Sequence, residues 1–230
     1  MKKFLAVLAV VAVVSMAGSV FAYNDVQLKE VGVDPGTSVS ATFPYLGSQS
    51  VQAGYYQLSI NDGTPINGFC VDPSWSNSND STYSLIGIPS LNYERAAWIL
   101  DQARAGTTGY TDHAQDQIAV WELVMDTNNN IYSGAFYVNS GTYDAAQAAV
   151  TAAVSALPNW DPNSSLLSNY VLAVSPPDGA TYYGVDYQDY LIPAPPGIPV
   201  PEPMSILLLG VGFAGLAGVR RFKKQIVALA

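Results

Sequence analysis

The stretch YYQLSINDGTPINGFCVD, residues 55–72, has the pattern of two β-strands joined by a turn. Aromatic, aliphatic and β-branched residues are frequent in both halves, as in strands. Asn61-Asp62-Gly63 lies between them and is a strong turn signal, because these residue types tolerate the backbone angles of a tight hairpin. The second strand ends near Cys70, the only cysteine in 230 residues. The sequence therefore predicts a hairpin with a single thiol near the end of its second strand.

The segments around this hairpin alternate between strand-like and helix-like patterns. Strand composition occurs before the hairpin and again near the end of the chain, in residues 38–46, 169–174 and 180–192. Between them lie three segments with helical spacing of apolar residues, namely residues 91–106, 111–126 and 142–157. This order predicts an α+β domain, with a sandwich or barrel-like β-sheet framework into which a helical section is inserted.

The first 22 residues are typical of a secretory signal peptide. Lys2 and Lys3 precede a nearly uninterrupted apolar run, and residues 20–22 (VFA) place small side chains where a signal peptidase reads them. We therefore expect signal peptidase to act on this chain and to remove residues 1–22 during export.

The other end of the chain has three parts. A proline-rich linker, residues 192–203, ends in the tripeptide Pro-Glu-Pro; residues 204–219 are an uncharged apolar run; residues 220–230 carry four basic side chains. The apolar run predicts a transmembrane segment whose basic end stays in the cytoplasm. Residues 23–191 remain between the two terminal regions, and they are enough for one domain with one core.

This order of motif, apolar run and basic cluster resembles the PEP-CTERM sorting signal of Gram-negative bacteria. The resemblance implies that an exosortase, a membrane transpeptidase, cuts the chain near Pro201, Glu202 and Pro203. It also implies export across the inner membrane and transient anchoring there by the C-terminal segment. Release to the cell surface or to the extracellular exopolysaccharide matrix would follow.

Removal of both terminal segments makes the chain strongly acidic. Residues 23–203 contain three basic and 18 acidic residues, a formal charge of −15. Such a surface repels nucleic acid and anionic lipid, so we expect no nucleic-acid partner and contact with the membrane only during sorting. One cysteine and one histidine do not make a metal site, and no cofactor motif is present, so we expect neither metal nor cofactor.

Three interpretations of Cys70 remain open at this point. In the first it is a small, buried and inert hydrophobic residue. In the second it is the nucleophile of a cysteine hydrolase, with His113, the only histidine, as its base. In the third its sulfur is covalently linked to a group other than cysteine, since a single cysteine excludes an intramolecular disulfide.

A second motif favours the third interpretation. The sequence QIAVW, residues 117–121, lies in a predicted helix 47 residues after Cys70. Together with the strand pair Phe69-Cys70, it resembles the two motifs of the bacterial thioester domains of surface adhesins. The resemblance implies that Cys70 and Gln117 condense, with loss of ammonia, into an internal thioester. The usual threonine before the glutamine is Asp116 here.

The resemblance also implies a function. A thioester carbonyl reacts with amines and hydroxyls, so the chain would capture a nucleophile on a partner once, without turnover, and would not be an enzyme. The partner would be a protein lysine, a polyamine or a matrix polysaccharide, in adhesion or matrix attachment. His113, Asp116, Ala119 and Trp121 are candidate supporting residues, with His113 as a base one helical turn before the glutamine. The alternative is a passive structural component of the matrix with an inert Cys70.

Overall fold

The computed structural model describes residues 24–73, 81–107, 113–175 and 187–197. Tyr23–Val200 form one compact unit. Its strands are β1 Asn24–Phe43, β2 Gly47–Ile60, β3 Ile66–Asp72, β4 Ser81–Gly87, β5 Tyr137–Val138, β6 Tyr170–Val174 and β7 Asp189–Pro193. Its helices are α1 Leu91–Arg104, α2 His113–Met125, α3 Asp144–Ala156 and the short α4 Leu166–Asn169.

The strands form a closed, antiparallel barrel. Their order is β2-β3-β7-β6-β4-β1, and β1 pairs again with β2, so six strands complete the ring; β5 adds two residues to the far end of β1. Leu28 lies at the closure, since it is opposite Ile60 of β2 on one side and Ser81 of β4 on the other. The predicted α+β class with a barrel-like framework is therefore confirmed.

Each strand of the barrel contributes to an apolar interior. The buried residues that fill it come from all six strands, because alternate side chains of a strand point to the same face. They are Val26, Leu28, Tyr56, Leu58, Cys70, Tyr83, Leu85, Val171, Ala173, Tyr190 and Ile192. The thiol-bearing residue is thus part of the barrel interior.

The helical section lies between β4 and β6 in the chain and covers the outer face of the barrel. Phe69 and Val71, which flank Cys70 in β3, belong to the second buried cluster, which is shared with the helices. Helix α2 is central in this cluster, and its residues 116–123 are all buried. A helix that is apolar around most of its circumference is typically enclosed on all sides. The sequence thus places Phe69 and Cys70 on opposite faces of one sheet.

The predicted hairpin is confirmed, and its turn has the expected backbone. Asn61 and Asp62 have φ angles of +50° and +57°, in the left-handed region that asparagine and aspartate tolerate. Strand β1, however, is longer than the predicted residues 38–46 and begins at Asn24. The stretch Pro35-Gly36 interrupts the strand pattern in the sequence, but the register shift between Asp34 and Thr37 accommodates it.

The terminal predictions lie outside the described residues. These are the signal peptide 1–22, the apolar segment 204–219, the basic tail 220–230 and the tripeptide Pro201-Glu202-Pro203. Among the residues that are described, no helix combines the length and the apolar character needed to cross a membrane. The last strand extends to Pro193, two residues beyond position 191.

The closure residue offers a test of the barrel. Leu28→Ala removes a fully buried side chain from the position where β1 meets both β2 and β4. We expect it to lower the free energy of unfolding by about 2–5 kcal/mol, through lost apolar burial and the cavity that remains. Urea denaturation followed by circular dichroism measures the loss. Val31→Ala in the same strand is the control, because Val31 is 55% exposed and its truncation should cost less than about 1 kcal/mol.

Candidate functional site

The structure brings Cys70 and Gln117 together at an opening in the barrel wall. The pairing of β2 with β3 ends at Tyr56 opposite Gly68, so it does not reach Cys70. The main-chain N–H of Cys70 instead donates to Oε1 of Gln117, with an N···O distance of 3.0 Å. In return, Nε2 of Gln117 donates to the carbonyl oxygen of Cys70 at 2.7 Å. The carboxamide therefore hydrogen-bonds to Cys70 in the way that a neighbouring strand would.

Helix α2 positions Gln117 for this contact. Gln117 is fully buried and lies one helical turn before Trp121, which is also fully buried. A buried carboxamide needs partners for both of its polar atoms, and the main chain of Cys70 supplies them. Ala119 is completely buried in the same helix.

The thiol of Cys70 lies in an environment that disfavours its ionised form. The residue is fully buried. Burial raises the pKa of the Cys70 thiol well above its usual value, and the negative charge of Asp72 acts in the same direction. The indole of Trp121 opposes them, because its interaction with the sulfur lowers this pKa. The thiol is therefore neutral at physiological pH and is a weak free nucleophile.

His113 is at the start of α2, in a stack of rings next to β3. Its imidazole stacks on the ring of Tyr55, with 3.8 Å between the ring centroids, and Tyr55 stacks on Phe69 at 5.0 Å. Nδ1 of His113 lies 3.4 Å from Oδ2 of Asp116, whose side chain is fully buried. The histidine side chain is 21% exposed. The stacked rings extend from the partly exposed His113 to Phe69, the residue before Cys70. The sequence pattern did not indicate that Tyr55 would be the middle ring of this stack.

Glu122 adds a second titratable group to α2. It is fully buried, and its Oε1 accepts a hydrogen bond from the main-chain N–H of Asn130 at 2.7 Å. Burial raises the pKa of Glu122 to about 7, although the hydrogen bond from Asn130 acts to lower it. The carboxyl group therefore titrates near neutral pH, whereas an exposed glutamate is ionised there.

A cavity of about 260 Å³ opens beside the barrel interior. Glu30, Gln52, Tyr56, Pro73 and Gln188 contribute to its lining. Tyr56, one of the lining residues, also belongs to the interior cluster that contains Cys70. In the described part of the chain as a whole, no group of three or more histidine, cysteine, aspartate or glutamate side chains is arranged so that it could hold a metal ion.

Comparison with known proteins assigns the C-terminal tail. Residues 199–221 match the PEP-CTERM protein-sorting motif. The tail is a sorting signal. This match indicates an exported protein with a membrane-anchoring C-terminal sorting signal, and it implies processing by a signal peptidase and an exosortase. No curated protein sequence matches the chain.

One solved structure resembles the chain in fold. It is the thioester domain of the Enterococcus faecium TIE86 protein, with 14% sequence identity and a TM-score of 0.38. The comparison covers 74% of this chain and 77% of that chain.

The raised pKa of Glu122 predicts a pH-dependent stability. The folded state holds a proton that the unfolded state loses, so the stabilisation is complete below the unfolded pKa of about 4.5 and disappears as the pH rises through about 7. We expect the free energy of unfolding to fall by about 1–3 kcal/mol between pH 5 and pH 7.5 on account of this group. Urea denaturation at both pH values measures it.

Glu122→Gln supplies the comparison, because a neutral amide keeps the shape of the side chain without titrating. The fall in stability should be smaller in this variant by the stated amount. Burial also raises the pKa of Glu30 and Asp72, so part of the fall should persist in both proteins. An identical pH dependence in wild type and Glu122→Gln would contradict the assignment.

Proposed function

We propose that Cys70 and Gln117 form an internal thioester and that the exported protein uses it to capture a nucleophile covalently. The observation that carries the proposal is the pair of hydrogen bonds which holds the Gln117 carboxamide against the main chain of Cys70, in a fully buried setting. Such fixed proximity favours a reaction between two groups that are unreactive towards each other in water.

The proposed bond forms by simple condensation. The sulfur of Cys70 attacks Cδ of Gln117, a C–S bond forms, and the C–N bond of the carboxamide breaks. The departing nitrogen takes up the thiol proton and leaves as ammonia. Oε1 of Gln117 becomes the acyl oxygen, and it already accepts the main-chain N–H of Cys70 at 3.0 Å. A fixed donor at this oxygen stabilises the charge that develops there during attack.

Burial supports the existence of such a bond. The surroundings of Cys70 disfavour a thiolate, as the raised pKa shows, but a thioester sulfur carries no charge and loses nothing by leaving water. Exclusion of water also protects the bond from hydrolysis. The same raised pKa works against the alternative of a cysteine hydrolase, which needs a thiolate for each turnover.

The proposed capture step uses the stored reactivity once. An amine or hydroxyl of a partner attacks Cδ of Gln117 and forms an amide or an ester, and the C–S bond breaks. The sulfur takes up the proton that the nucleophile loses, so Cys70 is released as a thiol. His113, at the solvent-facing end of the ring stack, is positioned to remove that proton as a general base.

The proposed partners follow from export. A protein lysine, a polyamine or a polysaccharide hydroxyl outside a Gram-negative cell would be captured, and the protein would thereby attach to a neighbouring surface or to the exopolysaccharide matrix. The competing function is a passive structural role in that matrix. It is favoured by the fact that the two hydrogen bonds already satisfy the carboxamide of Gln117 without a covalent bond.

The intact mass of the exported protein separates the two functions. We expect the purified chain to be lighter than its sequence by one ammonia, and methylamine to restore that loss and add itself to Gln117. Gln117→Ala should show the full sequence mass and no reaction. Gln115→Ala, two residues earlier in α2, is the matched control and should behave as the wild type, because Gln115 hydrogen-bonds to the N–H of Ala146 instead.

A wild-type protein of full sequence mass, with Cys70 present as a thiol in the unfolded chain, would refute the thioester. The passive matrix role would then be the function that remains.

The sorting signal predicts a separate outcome in cells. Replacement of residues 201–203 by three alanines should leave the chain in the membrane fraction, because the processing enzyme would no longer recognise its tail. Immunoblots of the membrane, surface and medium fractions measure the distribution. Alanine replacement of residues 195–197, just upstream, should not change it.

A further inference from the structure

We propose that the indole N–H of Trp121 is the hydrogen-bond donor that stabilises the sulfur of Cys70 when the thioester forms and when it opens. This inference rests on the thioester described above and assigns a role to a residue within that site. It concerns the leaving group of the capture reaction, whereas the contacts of Gln117 concern its acyl group.

The first observation is an unsatisfied donor. Nε1 of Trp121 is buried and makes no hydrogen bond of standard geometry to any acceptor, and the whole side chain is inaccessible to solvent. A tryptophan N–H almost always finds a partner when it is buried, and an unpaired buried donor is destabilising. Such a group in a native structure calls for an explanation, and a catalytic role is one.

The second observation is the position of this donor. Trp121 lies one helical turn after Gln117, on the same side of α2, and the carboxamide of Gln117 is bound to Cys70. The indole N–H is close enough to the sulfur to lower the pKa of the thiol as a hydrogen-bond donor does, against the effect of burial, although the contact lacks the geometry of a full hydrogen bond. The unsatisfied N–H and the reacting sulfur are therefore neighbours.

The chemistry explains why a donor is needed at this atom. When a nucleophile R–NH₂ attacks Cδ of Gln117, the C–S bond breaks and its electron pair leaves with the sulfur. The sulfur is negatively charged until it receives the proton that the amine gives up. The surroundings of Cys70 disfavour this charge, since burial and the carboxylate of Asp72 both oppose it. A hydrogen bond from Trp121 to the charged sulfur would lower the barrier to its departure.

A purely structural role for Trp121 predicts the opposite effect. Its ring packs edge-on against Phe43, with 5.3 Å between the ring centroids, and also lies near Phe136. Loss of this packing would loosen the wall of the site and admit water and nucleophiles, so capture would become faster. Loss of the donor would make capture slower. The direction of the change therefore distinguishes the two roles.

The test uses Trp121→Phe and the replacement of Trp121 by benzothienylalanine, which keeps the bicyclic shape but has sulfur in place of N–H. Trp98→Phe is the matched control, because Trp98 is a half-buried tryptophan of α1 that packs on the same core cluster. Each exported protein is treated with hydroxylamine, and intact mass gives the fraction of thioester and the rate constant of its reaction. Circular dichroism verifies the fold of each variant.

We expect hydroxylamine to react about tenfold more slowly with both Trp121 variants, since a hydrogen bond to a charged group contributes this much or more. Trp98→Phe should react within about twofold of the wild type, because surface and half-buried changes away from the site have small effects. A folded benzothienylalanine variant that fails to form the thioester would also support the proposal, because only the N–H has been removed.

Equal or faster reaction of the benzothienylalanine variant would overturn the role of Trp121 and leave the thioester in place. A wild-type protein with no loss of ammonia would instead refute the thioester itself. The two failures are therefore separate.

Discussion

The site depends on the way in which one side chain fills a break in a β-sheet. Strand β2 stops pairing with β3 before Cys70, and the carboxamide of Gln117 takes up the main-chain N–H and C=O that are left over. Buried main-chain groups without partners are rare because they are costly. The unpaired main-chain groups of Cys70 therefore hold the carboxamide of Gln117 in place, and this contact helps to position α2 on the barrel.

This arrangement gives Cys70 two different neighbourhoods. Its main chain faces the helical section through Gln117, whereas its side chain belongs to the barrel interior with Tyr56 and Tyr190. The interior is apolar and holds the thiol in its neutral form. A neutral sulfur beside a fixed carboxamide is suited to storing an acyl group, and it is poorly suited to repeated nucleophilic attack. The chemistry that we propose is accordingly a single capture event.

Sequence patterns predicted the parts of the fold that local physics controls. The Asn61-Asp62-Gly63 turn, the hairpin and helices near residues 91–106, 111–126 and 142–157 were all expected, and the structure contains them. The early part of β1 was missed, since Pro35-Gly36 disrupts strand periodicity and only register shifts against β2 allow the strand to continue. The two-residue strand β5 and the one-turn helix α4 were also missed, because such short elements depend on their tertiary contacts rather than on their own propensity.

The sequence by itself determined the export signals, the acidic surface, the α+β class and the identity of the two candidate reacting residues. Only the tertiary structure decided that the ring of strands closes, that Gln117 hydrogen-bonds to Cys70 although the two are 47 positions apart, and that Tyr55 and Trp121 adjoin the site. The physical reason is the range of the interactions. Turn and helix signals act within a few residues, whereas strand pairing and the burial of polar groups depend on segments that meet only after the chain has folded.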